Sequence, residues 1–314
     1  FYYYMNNNLS NIKKGKYFLD KDNCIGMPTE TVYGLAANAY SSKAILKIFK
    51  LKKRPKNNPL IVHYDSLEML KRDCILNKNF TNLYNKFCPG PLTFILKLKK
   101  DSKISKFVTN NKKTLAVRFP SHPKAKSLLK ILNYPLAAPS ANISSRVSPV
   151  TRTHVKEEFG KKIKYIIEGG LSKIGLESTI INLTGKPEIL RIGSIDINKL
   201  SKALKRKLFY RKKTYMKVPG QNRLHYSPGI PLRMNCKEAS QDEAFILIKK
   251  RKNSNKNFFY LSKNKNLKEA ARNLYSVLRI IKKKGYKKIA VEKIENKGIG
   301  LAINDRLQKA SSKK

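Results

Sequence analysis

Cysteine and histidine are scarce in this chain of 314 residues, four of each, and they are scattered. Cys24, Cys74, Cys88 and Cys236 make no CxxC pair. That argues against a disulfide framework and makes a reducing compartment, by default the cytoplasm, the expected setting. His63, His122, His154 and His225 share no HxxxH spacing and stand apart from any cysteine pair, so no protein-held metal site is expected. No apolar run of about 18 residues occurs, which excludes a membrane-spanning helix. The segment 1–9 lacks the apolar core and small-residue cleavage site of a secretory signal. Familiar nucleotide and nucleophile motifs are missing too: there is no GxxxxGK[ST], no kinase motif set, no GxSxG elbow and no HExxH. An enzyme using ATP here would need an unfamiliar pocket.

Acidic residues are also few, 20 against 68 lysines and arginines, for a net charge of +48. Such a field attracts polyanions and phosphate-bearing ligands. The lysines run along the whole chain, Lys282-Lys283-Lys284 and Lys313-Lys314 included. Composition bias therefore explains most of the charge, which permits tRNA contact without specifying it. What remains is a globular composition, 41% hydrophobic, with length enough for two domains.

The segment 1–11 reads as an N-terminal extension. From 12 to 207, short apolar runs alternate with amphipathic stretches, the pattern of a mixed α/β domain. A strand is expected at 25–27, ending at Pro28, and others at 60–62, 92–98, 115–119, 165–167, 179–183 and 189–192. Ser42 is expected to cap a helix with Ala44, Ile45, Ile48 and Phe49 on one face, and 123–132 reads as a second helix. Residues 208–231, with Pro219-Gly220 and Pro228-Gly229, read as an interdomain linker in which His225-Tyr226 packs on something. From 232 to 314 a second α/β pattern follows, with strands at 245–248, 258–261 and 289–291 and helices at 267–281 and 301–310. It is Rossmann-like without a GxGxxG fingerprint.

The densest polar cluster is Pro28-Thr29-Glu30-Thr31-Val32-Tyr33-Gly34, directly after a strand. Hydroxyls and a carboxylate at a strand's C-terminal end suit a small polar ligand. A capped turn entering a helix would account for Thr29 and Thr31 equally well. Lys52-Lys53-Arg54-Pro55 ends a helix, where cations complement the macrodipole. Lys52 and Arg54 at alternate positions could equally hold polyphosphate oxygens. Ser140-Ala141-Asn142 and Gly175-Leu176-Glu177-Ser178-Thr179 are short polar segments beside strands. Arg118 and Arg191 stand inside apolar strands, which is costly unless each is paired or faces a ligand.

Taken together, these residues resemble the YrdC-like fold of the threonylcarbamoyl-AMP synthases. The resemblance rests on Thr29 to Gly34, the Lys-x-Arg pair Lys52/Arg54, Pro59 to His63, Pro89 to Thr93, Arg118-Phe119-Pro120, the Ser-x-Asn pair Ser140/Asn142, Glu177 to Ile180 and Leu190 to Gly193. His225-Tyr226-Ser227-Pro228 and the tail Gly300 to Leu307 resemble the linker and C-terminal domain of the family's two-domain branch. The resemblance implies a twisted α/β sandwich with a large basic cleft, followed by a small Rossmann-like domain. It implies L-threonine, bicarbonate and ATP with Mg2+ as reactants, and threonylcarbamoyl-AMP and pyrophosphate as products. A transferase complex would then carry the threonylcarbamoyl group to the adenosine beside the anticodon of tRNA.

By the same resemblance, Lys52 and Arg54 bind the triphosphate and act in catalysis. Asn58, Ser140, Asn142 and Arg191 serve the nucleotide. Thr31, His63, Arg118 and Ser178 serve the threonine, and His225 and Tyr226 form a lid over the cleft. The chain departs from the family pattern at Glu168, where Asp is usual, and in Pro219 to Leu224, which carries fewer bases. The alternative is a non-enzymatic RNA-binding protein using the same basic cleft. The charge suits it; the threonine-site residues and the Ser-x-Asn pair do not.

Overall fold

The computed structural model describes residues 2–210, 225–253 and 255–311. The segment 211–224, which holds most of the expected linker and its departing residues Pro219 to Leu224, lies outside that description. The first part of the chain supplies β1 (Ile25–Met27), β2 (Gly34–Asn38), β3 (Ile61–His63), β4 (Cys74–Ile75), β5 (Leu92–Leu98), β6 (Thr114–Arg118), β7 (Leu136–Ala137), β8 (Tyr165–Ile166), β9 (Thr179–Asn182) and β10 (Glu188–Arg191). They form one mixed sheet in the order β10-β9-β5-β6-β3-β7-β2-β1-β8, with β4 paired to β5. Helices α1 (Tyr2–Asp20), α2 (Ser42–Lys52), α3 (Leu67–Asp73), α4 (Lys78–Phe87), α5 (Lys106–Thr109), α6 (Pro123–Lys130), α7 (Arg152–Phe159) and α8 (Ile197–Ala203) cover it.

Strand alternation divides the sheet's residues between two faces. Val62, Phe94, Val117, Ile181 and Ile189 face a large core with the apolar sides of α2, α3, α4, α7 and α8. At the β7-β2-β1-β8 end, α1 and α6 close a second core around Ile25, Met27, Ala36 and Leu136. The result is the expected α/β sandwich.

One local expectation changes and one alternative reading falls. Ser41 caps α2, not Ser42: its extended backbone lets Oγ accept from Ala44 N at 3.1 Å, while Ser42 is already helical. After Gly34 the chain forms β2, antiparallel to β1, instead of a helix. Leu35, Ala36 and Ala37 are buried on both faces of the sheet, so their run lacks the alternation that marks a half-buried strand. The boundary drawn at residue 11 falls inside α1.

The second unit carries β11 (Leu232–Arg233), β12 (Ala244–Leu247), β13 (Phe258–Tyr260) and β14 (Ile289–Val291), with α9 (Leu267–Lys283) and α10 (Ile299–Ser311). Its sheet is parallel throughout, in the order β11-β14-β12-β13. The core is shared with the first unit: Val32, Val147, Val150, Leu176 and Ile192 pack with Leu274, Leu278, Ile303 and Leu307. Gly175, at φ +77°, lets the loop backbone lie on α9, where an added Cβ would stand 2.5 Å from Arg272 Cα.

Candidate active site

The register of five strands brings distant residues into one row. His63 ends β3 opposite Arg118, and Arg118 ends β6 opposite Thr93 of β5. Thr93 lies opposite Ile180 of β9, which in turn pairs with Arg191 at the end of β10. Opposed residues share a face. Two positions along the same strands, on the same face, Ile61, Ala116 and Ile95 join Ile180 and Leu190 in a dry cluster. The polar row thus borders apolar ground, where each charge needs a partner.

Arg118, 4% exposed, has them. Its Nη2 donates to Glu30 Oε1 at 2.6 Å and its Nη1 to Thr31 Oγ1 at 2.8 Å. Glu30 Oε2 accepts from Ser121 N at 3.1 Å, and the Thr29 and Thr31 hydroxyls lie 2.9 Å apart. On the other side of the row, Ser178 Oγ lies 2.7 Å from Thr93 Oγ1 and accepts from Arg191 Nη2 at 3.0 Å. Arg191 Nε donates to Ser178 O at 2.9 Å. A Cβ on Gly193 would stand 2.3 Å from Thr179 N, so glycine is what lets the exit of β10 wrap this segment.

Thr31, Arg54, His63, Arg118, Ser140, Ser178, Arg191, His225 and Tyr226 all line one pocket of about 40 Å³. Lys52, Asn58 and Asn142 stand one layer behind its wall. The Lys52 Nζ, at the end of α2, donates to Ser140 O and Asn142 O, while Arg54 lies on the wall itself. Burial, and then the nearby Arg54, hold the Lys52 pKa well below the lysine range. Arg54 donates to Asn58 Oδ1 at 2.6 Å, Asn58 O at 3.1 Å and Pro59 O at 2.9 Å. Asn142 Nδ2 donates to Ile143 O and Arg146 O, leaving its buried Oδ1 without a partner among the described residues.

Burial and Arg118 pull His63 down to about 3, and burial pulls His225 equally low, so both rings are neutral near pH 7. Tyr226, 1% exposed and at φ +60°, points a hydroxyl without a partner among the described residues into buried space. Tyr33 turns away from the pocket, donating to Gly170 O at 2.9 Å. Glu168 is exposed and accepts from Gly170 N.

Sequence reading assigns no site role to Thr93 or Glu177, both quoted inside motifs, nor to Tyr275 and Arg306 of the second unit. One signal was available for Arg306. It occupies a core position in α10, in step with Ala302, Ile303, Leu307 and Ala310, where a charge is out of place without a partner.

Two family models match. One described as telomere recombination covers residues 17–193, and one described as threonylcarbamoyl-AMP synthase, C-terminal domain, covers 192–312. The threonylcarbamoyl-AMP synthase of Pyrococcus abyssi is 36% identical over 94% of this chain and 92% of its own. That of Schizosaccharomyces pombe is 35% identical over 92% of this chain and 85% of its own. The crystal structure of P. abyssi Sua5 complexed with L-threonine superposes with a TM-score of 0.87, at 34% identity, covering 96% of this chain and 94% of that one. Such likeness along both units does not favour a non-enzymatic RNA-binding protein, and the chain belongs to the threonylcarbamoyl-AMP synthase family.

Proposed function

We infer that the chain is an L-threonylcarbamoyladenylate synthase, a nucleotidyltransferase that forms threonylcarbamoyl-AMP and pyrophosphate from L-threonine, bicarbonate and ATP. The observation that carries this reading is the meeting of Thr31, Arg118 and Ser178 with Arg54 and Arg191 in one buried pocket. A threonine carboxylate suits the Arg118 fork, and its hydroxyl and amine suit Thr31 and Ser178. Arg54, Arg191 and the Ser140–Asn142 turn suit a nucleotide, with Lys52 holding that turn in shape and Asn58 orienting Arg54.

The threonine amine condenses with bicarbonate to give a carbamate, a bicarbonate C–O bond breaking and the amine proton leaving with that oxygen as water. A carbamate oxygen attacks the α-phosphorus, the bond to the β-phosphate oxygen breaks, and pyrophosphate leaves with its electron pair. Because the substrate provides the nucleophile, the protein's task is alignment and neutralisation of charge on the leaving group. Arg54 is the wall residue suited to that charge.

Among the described residues the pocket offers no carboxylate cage for magnesium. Glu30 is engaged by Arg118 and Glu177 by Arg306. Among the described residues no cluster of three or more His, Cys, Asp or Glu could hold an ion. Magnesium accordingly enters as part of the MgATP substrate, on phosphate oxygens.

A space of about 40 Å³ holds a few waters, far short of the several hundred Å³ of a nucleotide site. His225 and Tyr226, on its wall, are the lid: they withdraw for entry and return to keep water from the labile carbamate and adenylate. Product passes to a threonylcarbamoyl transferase complex acting on tRNA, and the positive field suits tRNA contact. The reducing cytoplasm is the proposed compartment, and among the described residues no helix is long and apolar enough to cross a membrane.

The test is pyrophosphate release from MgATP with and without L-threonine and bicarbonate, with L-serine as control. Release that needs both co-substrates, together with the mass of threonylcarbamoyl-AMP, supports the assignment. Release indifferent to threonine overturns it.

A further inference from the structure

Glu177 precedes Ser178 and lies on the pocket wall, 6% exposed. Among the described residues three side chains donate to its carboxylate. Ser148 Oγ donates to Oε1 at 2.6 Å, and the Tyr275 hydroxyl reaches Oε2 at 2.9 Å and Oε1 at 3.2 Å. Arg306 Nε donates to Oε2 at 3.0 Å. Burial alone would raise the Glu177 pKa, but Arg306 and then Arg191 outweigh it and hold the acid at about 2.

Two of these partners come from the second unit, Tyr275 from α9 and Arg306 from α10, and both are buried. Arg306 is fixed in turn by Asp305 at 2.7 Å, which Lys309 also holds at 2.8 Å. The same two residues back the lid. Tyr226 stacks on Tyr275 with centroids 5.9 Å apart and planes at 19°, and the Arg306 guanidinium lies 5.1 Å from the Tyr226 centroid. One buried cluster of the second unit thus touches both the Ser178 wall and the lid.

A buried ion pair seldom adds net stability over apolar packing of the same volume. Its distinctive contribution is direction, because donors and acceptors must meet at fixed angles. Here the direction is imparted at Glu177, and the next residue carries the hydroxyl and carbonyl that Arg191 grips.

We propose that Tyr275 and Arg306 are positioning residues for the reaction, acting through Glu177 to set the Ser178 hydroxyl against the threonine. The second unit then completes the threonine site from behind without touching the substrate. This rests on the proposed function.

The experiment measures threonine- and bicarbonate-dependent pyrophosphate release by the full chain, its Tyr275→Phe and Glu177→Gln variants, and the double variant. Each melting temperature is recorded alongside. Tyr275→Phe removes one hydroxyl and keeps the ring stacked on Tyr226. The expected result is a KM for L-threonine raised about tenfold, with the KM for ATP close to that of the unmodified chain. In the Glu177→Gln background the same substitution is expected to change the threonine KM no further. Arg306→Lys, which keeps the charge and loses the fork, is expected to act in the same direction.

An unchanged threonine KM in Tyr275→Phe overturns the inference while leaving the function standing. So does an equal further loss in the Glu177→Gln background, because Tyr275 would then act elsewhere. Absence of threonine-dependent release in the unmodified chain overturns the functional reading and this inference with it.

Discussion

Lys52, at the end of α2, donates through Nζ to the carbonyl of Ser140, 88 residues further along the chain, and equally to that of Asn142. The bond joins the Lys-x-Arg and Ser-x-Asn pairs into one structure. Lys52→Ala would leave the Asn142 carbonyl without this donor and the Ser140 carbonyl with Asn142 N alone, at a cost of about 1–3 kcal/mol. The expected outcome is a lower melting temperature together with a smaller stabilising shift on adding MgATP, both read by calorimetry. A variant that melts normally and keeps the full MgATP shift would show that the brace does not matter to the nucleotide.

Arg118 spans Glu30 and Thr31 with two arms of its guanidinium. Arg118→Lys keeps one positive charge and cannot span both. We expect the KM for L-threonine to rise at least about tenfold while the KM for ATP moves little. Steady-state kinetics with each substrate varied in turn separates the two.

Tyr226 buries a hydroxyl that has no partner among the described residues. Tyr226→Phe removes an unsatisfied polar group, so the chain without ligand should gain up to about 1 kcal/mol in stability. Activity should fall if that hydroxyl meets substrate in the working enzyme. Opposite movements of melting temperature and turnover are the expected result; a joint fall would place the hydroxyl in a structural role.

All four histidines are held below their ordinary value of 6.5, with burial the leading cause in each: His63 and His225 at about 3, His154 at about 4, and His122 lowered. As pH falls below 6.5, the unfolded chain takes up protons that the folded chain refuses. Stability is therefore complete above 6.5 and is lost as pH falls toward 4 and 3. Glu177 extends the loss, since its contribution is present above 4.5 and disappears as pH falls toward 2. Each fully buried histidine adds about 1.4 kcal/mol per pH unit to the slope. Urea midpoints between about pH 4.5 and 6 should show a slope that His63→Gln flattens by that amount.

Much of the fold is legible because burial writes short periods into the sequence. The expected strands 92–98 and 289–291 match β5 and β14 residue for residue, and the stripe of Ala270, Leu274, Leu278 and Ile281 gives α9. β2 was not legible, since both its faces are covered and its threonine-rich approach imitates a helix cap. α1 was missed because its asparagine-rich start carries no clear apolar stripe.

In the site, the residue types were legible but their assembly was not. The row from His63 through Arg118 and Thr93 to Arg191 depends on a strand order that no local period encodes. The partners of Glu177 lie 98 and 129 residues away, on helices whose own patterns speak only of their core. Lys52 could be singled out by its spacing, but not its engagement with two carbonyls.

The core shared between the two units also sets a schedule for synthesis. Val32, Val147, Val150 and Leu176 leave the ribosome long before α10, whose Leu307 and Ala310 complete the layer that covers them. Until α10 is added, the nascent chain carries an apolar face with no cover of its own, the kind of surface that chaperones hold. A pause just before α10 would therefore endanger this protein more than one midway through its first sheet.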